Sequence, residues 1–255
     1  MIDVALTRAG LRRADVAVVI DVLRATSTAT QALATGYRRV MCVETVEQAA
    51  RLRAPGQVLA GERRWVKPAG FDQGNSPLEA MHRLGDEIIL ATTNGTPTIV
   101  AASRYAPTVL LACLTNLDAV IDALRAERDP QQRELQLVCS GTDNAPALED
   151  VYLAGRLCSL LDGDRTDAAR VAVAVAAAYA TPVEALTASA GAVALRTAGL
   201  DDDIAYCARE STLDTVPRVL SASTGIAVLG HHAVTTGDQR QLQEGASVGR
   251  EAVSG

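Results

Sequence analysis

The strongest constraint on the fold is a unit that recurs along the chain. A short β-branched run ends in small polar residues, and an Ala/Leu-rich helical segment follows. Runs at Val16–Ile20, 40–43, 58–60, 88–91, 109–112 and 135–138 lead into DVLRATST, ETVEQAARLRA, GER, TTNGTPT, CLTN and CSGTDN. Runs that are apolar at successive positions suit strands covered on both faces, and the intervening helical segments supply the cover. The pattern predicts an α/β fold: three layers, α/β/α, with a mostly parallel or mixed sheet and a helical segment toward the C-terminus. The unit repeats in structure and not in sequence, which excludes a solenoid. The 255 residues, 48% hydrophobic, suffice for one large domain with a real core; aromatics are 3%, so Ala, Val and Leu must build it. Residues 1–230 read as that domain, with 166–215 as helices packed on it and 231–255 as a mobile tail in which apolar periodicity fades.

In such sheets ligands bind at the carboxyl ends of the strands. The polar residues fall there. The stretch 15–30, DVAVVIDVLRATSTAT, places an acid (Asp21), a base (Arg24) and three hydroxyls (Thr26, Ser27, Thr28) between a strand and a helix start. Two further turns resemble it: Thr93, Asn94, Gly95 and Thr96 after one strand, and Ser140, Gly141 and Thr142 after another. Hydroxyls and free N–H groups at a helix start make a ready anion site. Plain N-capping explains any one of these turns equally well; three of them beside an acid and an arginine favour a shared site.

The loop 61–77, GERRWVKPAGFDQGNSP, is too long for a tight connection and holds Trp65 and Phe71, the only Trp and Phe. Arg63, Arg64 and Lys67 suit an anionic substrate. Glu62 and Asp72 suit a cation. The same composition also fits a solvated loop with its two aromatics plugged into the core. Glu149 and Asp150 lie in the helix after the CSGTDN turn, and one of the two is expected to do structural work. Carboxylates without metal-spaced His or Cys favour a hard cation such as Mg²⁺ over zinc.

Several classes are excluded or disfavoured. No basic run marks a nucleic-acid partner, at a net charge of −6. The longest apolar stretch, 171–180, is too short to span a bilayer, and the N-terminal residues have no signal-peptide core. Five cysteines, with no CxxC, read as small buried hydrophobes in a reducing cytoplasm. GxSxG, GxxxxGK[ST] and GxGxxG are absent, and the three histidines have no metal or catalytic spacing. An acid-rich site with several anion-cradling turns suits phosphate-ester chemistry: carboxylates and Mg²⁺ on a phosphoryl oxygen, with Arg or Lys offsetting developing charge.

VVIDVLRATST, QALATG, GERxxxKPxGFDxGNSP, LATTNGT, CSGTDN with LEDVYLAG, and DIAYC occur in that order over about residues 15–230. With these blocks the chain resembles the 2-phosphosulfolactate phosphatase family. The resemblance implies Mg²⁺-dependent hydrolysis of a small phosphate monoester, 2-phospho-3-sulfolactate or a related phospho-2-hydroxy acid, as in coenzyme M biosynthesis. It departs from the family pattern at Arg64 and Trp65, where members often carry two glycines. The residues then take expected roles. Asp21, Arg24, Glu149 and Asp150 are catalytic, and Asp21, Glu62, Asp72 and Glu149 hold the metal. Arg24, Thr26, Ser27 and Thr28 contact phosphate. Asn75, Ser76 and the residues 93–96 line the pocket with Ser140, Gly141 and Thr142. Arg63 and Lys67 meet a second anionic group. The alternative is a non-catalytic anion-binding or regulatory domain on the same fold. A homo-oligomer contact or a lid is open for the C-terminal helices.

Overall fold

A computed structural model of the chain describes residues 1–127 and 134–231. All six runs are strands: β2 (Val16–Ile20), β3 (Arg39–Val43), β4 (Gln57–Gly61), β5 (Glu87–Ala91), β6 (Thr108–Ala112) and β7 (Leu135–Cys139). The sequence reading missed β1 (Ile2–Ala5), a short edge strand, and β8 (Pro217–Ser223) and β9 (Ile226–His231) close the set. The nine strands form one mixed sheet in the order β1-β7-β2-β6-β8-β9-β3-β5-β4. Within the set β1, β7, β2, β6 neighbours are parallel, as they are within β3, β5, β4. The β8–β9 hairpin is inserted between the two groups with antiparallel pairing on both sides.

Side chains alternate strictly across this sheet. On β2, Val16, Val18 and Ile20 enter one core while Ala17 and Val19 enter another. The first core is roofed by α5 (Leu117–Glu127), α6 (Leu148–Leu160), α7 (Asp167–Ala177), α8 (Pro182–Thr187), α9 (Ala190–Thr197) and α10 (Asp201–Cys207). The second is filled by α1 (Ala25–Thr35) and α4 (Gly95–Ala102), and both halves of the sheet contribute to it through residues such as Val19, Val40, Val58 and Ile88. A small third core joins α2 (Val46–Leu52), β5 and Phe71. The sheet thus wraps around α1 and α4. Twist of roughly 20–25° per strand accumulates across the hairpin and brings the carboxyl ends of two oppositely running halves together.

Both sheet edges are covered, which blunts pairing with other chains. At β1, Ile2 bonds to Asp164 and Thr166. At β4, the long loop returns so that Leu59 bonds Asp72 and Gln73, and a short helix α3 (Pro77–Ala80) follows. Helix α8 starts where the sequence marks it, with Pro182 at its first turn and Thr181 Oγ1 accepting the Glu184 N–H. Of the expected tail, His231 ends β9, and residues 232–255 lie outside the described ones. No helix among the described residues is long and apolar enough to cross a membrane.

Candidate active site

Asp21 follows β2 directly and is buried. Its Oδ1 accepts the Ala25 N–H at the start of α1. Its Oδ2 lies against Gly95 at the start of α4, where a Cβ would stand 2.4 Å from it. Only glycine lets α4 approach this closely. Burial, together with the nearby charges of Glu62 and Glu149, pushes the Asp21 carboxyl from 3.8 up to about 7, against the opposing pull of the Ala25 N–H and Arg24.

The residue that organises Arg24 comes from the far end of the chain. Arg24 Nη1 donates to Asp203 Oδ2 at 2.5 Å, and Ser76 Oγ donates to Asp203 Oδ1 at 2.6 Å. All three side chains are buried. The C-terminal helical segment is therefore part of the site, since α10 carries the carboxylate that aims the arginine. Arg24 Nε has no partner, and neither does Asn75 Oδ1. Buried polar atoms are normally bonded, so these two mark where a ligand belongs.

A cavity of about 80 Å³ collects Asp21, Arg24, Glu62 and Asn75. Thr92, Thr93 and Asn94 line it from the β5–α4 turn, and Thr142 and Asp143 from the β7–α6 connection. Arg64 and Trp65 close the remaining side. Glu62 fastens this wall: Oε1 accepts the Thr93 N–H, and Oε2 accepts the Thr93 hydroxyl and the Trp65 N–H.

Two tight turns of one geometry face this cavity. Arg63 and Val66 exchange both backbone hydrogen bonds around Arg64 and Trp65, as Thr142 and Ala145 do around Asp143 and Asn144. All four central residues have positive φ: 50° and 70° in the first turn, 50° and 63° in the second. Such two-residue turns take Asn, Asp or Gly because those residues tolerate the left-handed region. Asp143–Asn144 obeys that rule. Arg64–Trp65 does not, and each such residue costs about 1–2 kcal/mol.

Several expected contributors are placed elsewhere. Arg63 directs its guanidinium to the carbonyls of Glu62 and Glu44, not to the cavity. Lys67 is exposed and reaches only the Asp72 carbonyl. Asp72 is the edge-strand fastener: its carboxylate accepts the Leu59 N–H and pairs with Arg53, so it is no partner of Asp21. Thr26 and Ser27 turn their hydroxyls to the carbonyls of Asp21 and Val22, so they tighten the loop. Thr28 Oγ1 and Ser140 Oγ are buried without a partner, and neither residue lines the cavity. Thr96 pairs with Thr92 across the turn. Asp150 is a structural tie, its two oxygens accepting the N–H groups of Val22 and Gly141. The sequence reading named Arg64 among the cations of its loop, but it assigned no site role to Asp203, Trp65, Thr92 or Asp143.

The family described as 2-phosphosulpholactate phosphatase matches residues 4–221. A probable 2-phosphosulfolactate phosphatase of Thermus thermophilus is 40% identical over 221 residues, 84% of this chain and 92% of that protein. A 2-phosphosulfolactate phosphatase of Methanothermobacter thermautotrophicus is 34% identical over 200 residues, 78% of this chain and 84% of that protein. The chain belongs to the 2-phosphosulfolactate phosphatase family.

Burial raises the carboxyls of Glu149 and Asp150 as it does Asp21. Glu149 Oε2 is buried without a partner, and its Oε1 lies against Gly191 at the start of α9. Among the described residues, no three His, Cys, Asp or Glu side chains form a complete metal cage. Asp21 lines the cavity, and Glu149, whose charge bears on it, does not; their carboxylate oxygens are the donor type that a hard cation takes beside waters and a substrate phosphate. Their crowded negative charge is what such a cation relieves.

These shifts have a consequence for stability. Asp21 holds its proton more tightly folded than unfolded, so its contribution is present below about pH 4 and lost as pH rises through about 7. Glu149 and Asp150 shift in the same direction. In metal-free buffer the melting temperature is expected to fall between about pH 5 and about pH 8, and Asp21→Asn to flatten that slope. A wild-type melting temperature that rises over this window would contradict the assignment.

Proposed function

We propose that the site hydrolyses a small phosphate monoester that also carries other anionic groups, 2-phospho-3-sulfolactate or a related phospho-2-hydroxy acid, to the hydroxy acid and inorganic phosphate. One observation carries this reading. The cavity joins a buried arginine with an unused Nε–H to a buried carboxylate raised to about 7, so a cationic donor and a proton-sensitive acid face the same small space. At about 80 Å³ the cavity is far below the roughly 300–1,000 Å³ of pockets for drug-sized ligands. That size suits a phosphoryl group and a short carbon chain.

Arg24, fixed by Asp203, offsets charge that develops on the phosphoryl oxygens. The side chains of Asn75, Thr93, Asn94 and Thr142 present hydrogen-bonding groups around the same space. Asp21, with Glu149 behind it, would hold Mg²⁺, which would supply charge neutralisation and polarisation of a phosphoryl oxygen. Asp150 and Glu62 keep the loops in register. The five cysteines are free and buried, as suits a protein of the reducing cytoplasm.

The test is release of inorganic phosphate from a panel of phosphomonoesters with Mg²⁺ and with EDTA. The expected result is Mg²⁺-dependent release, fastest with 2-phospho-3-sulfolactate. Binding of these esters without release under either condition would instead make the chain a non-catalytic anion-binding domain.

A further inference from the structure

We propose that the Arg64–Trp65 turn is a specificity clamp. Arg64 holds a second anionic group of the substrate, a sulfonate or carboxylate away from the phosphoryl group, and Trp65 walls the cavity on that side. This rests on the phosphomonoester reading and adds the group that selects among such esters.

The turn is built against local preference. Both central residues adopt positive φ without being Gly, Asn or Asp, while the facing turn meets the same geometry with Asp143 and Asn144. Side chains held in an unfavourable backbone region at a binding cavity point to a role for those side chains. Both of them line the cavity.

The charges nearby point the same way. Arg24 is bound to Asp203, Arg63 to two backbone carbonyls, and Lys67 reaches only a carbonyl. Arg64 lies exposed at the mouth and, among the described residues, its guanidinium has no hydrogen-bond or ion-pair partner. Its planar fork of donors matches a carboxylate or sulfonate better than a lysine does.

The clamp is also fixed in place. Arg63 and Val66 close the turn with reciprocal bonds, and the Trp65 N–H is held by Glu62 Oε2. The same carboxylate holds Thr93, so the turn and the β5–α4 wall are set by one group. Such preorganisation lowers the ordering cost of gripping a small ligand.

The experiment compares wild type, Arg64→Ala and Arg64→Gly. Both variants remove the guanidinium, and only glycine also removes the backbone strain. Both are expected to lower kcat/KM for 2-phospho-3-sulfolactate by about 10- to 100-fold, mainly through KM. With isopropyl phosphate, which has the branched carbon skeleton without the extra anions, the change is expected to stay within about threefold. Loss confined to 2-phospho-3-sulfolactate identifies the sulfonate as the clamped group. Equal loss with 2-phospholactate identifies the carboxylate. Arg64→Gly is expected to melt about 2–4 °C above Arg64→Ala. Unchanged discrimination in both variants, or a glycine variant less stable than the alanine variant, would overturn the clamp. Calorimetric titration with sulfolactate reads it independently of turnover: wild type binds, and both variants bind at least about tenfold more weakly. Failure of wild type to release phosphate, with this difference intact, would refute the phosphatase reading and leave the clamp standing.

Discussion

Asp203→Ala is expected to cost about 3–5 kcal/mol of stability, because it strands the Arg24 cation in the interior. Both side chains are only 2% exposed, so the guanidinium recovers little of its hydration when its partner is removed. Ser76 Oγ loses its acceptor in the same change. Activity is expected to fall on the order of 100-fold beyond the folding loss, since Arg24 is no longer held toward the cavity. Denaturant unfolding and phosphate release under folded conditions measure the two effects separately. Asp203→Asn keeps the shape but not the charge, so it should fall between wild type and Asp203→Ala. The double variant Arg24→Met/Asp203→Leu removes both charges. It should recover much of the stability and none of the activity. Equal activity in Asp203→Ala and wild type would show that Arg24 needs no such anchor.

Gly95→Ala has the second large effect. An added Cβ would stand 2.3 Å from Ala25 Cβ and 2.4 Å from Asp21 Oδ2. Neither neighbour can yield cheaply, since Ala25 Cβ is attached to the first turn of α1 and Asp21 Oδ1 is bonded to that same turn. Helix α4 must back away from α1, at a cost of about 1–3 kcal/mol. The Asp21 carboxylate and the Thr93–Asn94 wall then separate, and phosphate release is expected to drop on the order of 100-fold. Adding Ala25→Gly relieves one of the two clashes. Stability should return in part, while activity stays low because the Asp21 contact persists. Activity restored by that second change would place the effect in helix packing and not at Asp21.

How much of this was legible in the sequence depends on how local each signal is. Strand positions were readable because runs such as Val16–Ile20 are apolar at every position, which only a strand buried on both faces requires. The order of the strands was not readable. The last hairpin inserts between β6 and β3, and nothing within β8 or β9 encodes a partner more than a hundred residues away. Asp21 and Arg24 were readable for the same local reason: they follow a strand and precede a helix. The role of Asp203 was not, although the DIAYC block begins with it, because its partners are 127 and 179 residues distant.

The loop 61–77 shows a finer failure. Charge alone does not separate its two arginines, and Arg63 with Lys67 is the pair expected to meet a second anionic group. In a two-residue reversal the flanking residue pairs with the backbone across the turn, and the central residues point away from it. That geometry puts Arg64 and not Arg63 at the cavity. Arg-Trp does not read as such a turn, so the exception that matters for the site also hid it. Asp72 misled in the opposite way: an acid in a loop of functional appearance serves the exposed edge of β4.

Asp21, between the starts of α1 and α4, is the acid on which the proposed phosphate-ester hydrolysis depends. The direct measurement is inorganic phosphate release from 2-phospho-3-sulfolactate with Mg²⁺ by wild type and by Asp21→Asn. The amide keeps the oxygen that accepts the Ala25 N–H and removes a buried charge, so the variant should be folded and no less stable near neutral pH. The predicted result is a folded variant with release reduced on the order of 1,000-fold or more. A folded Asp21→Asn that releases phosphate at close to the wild-type rate would contradict the account.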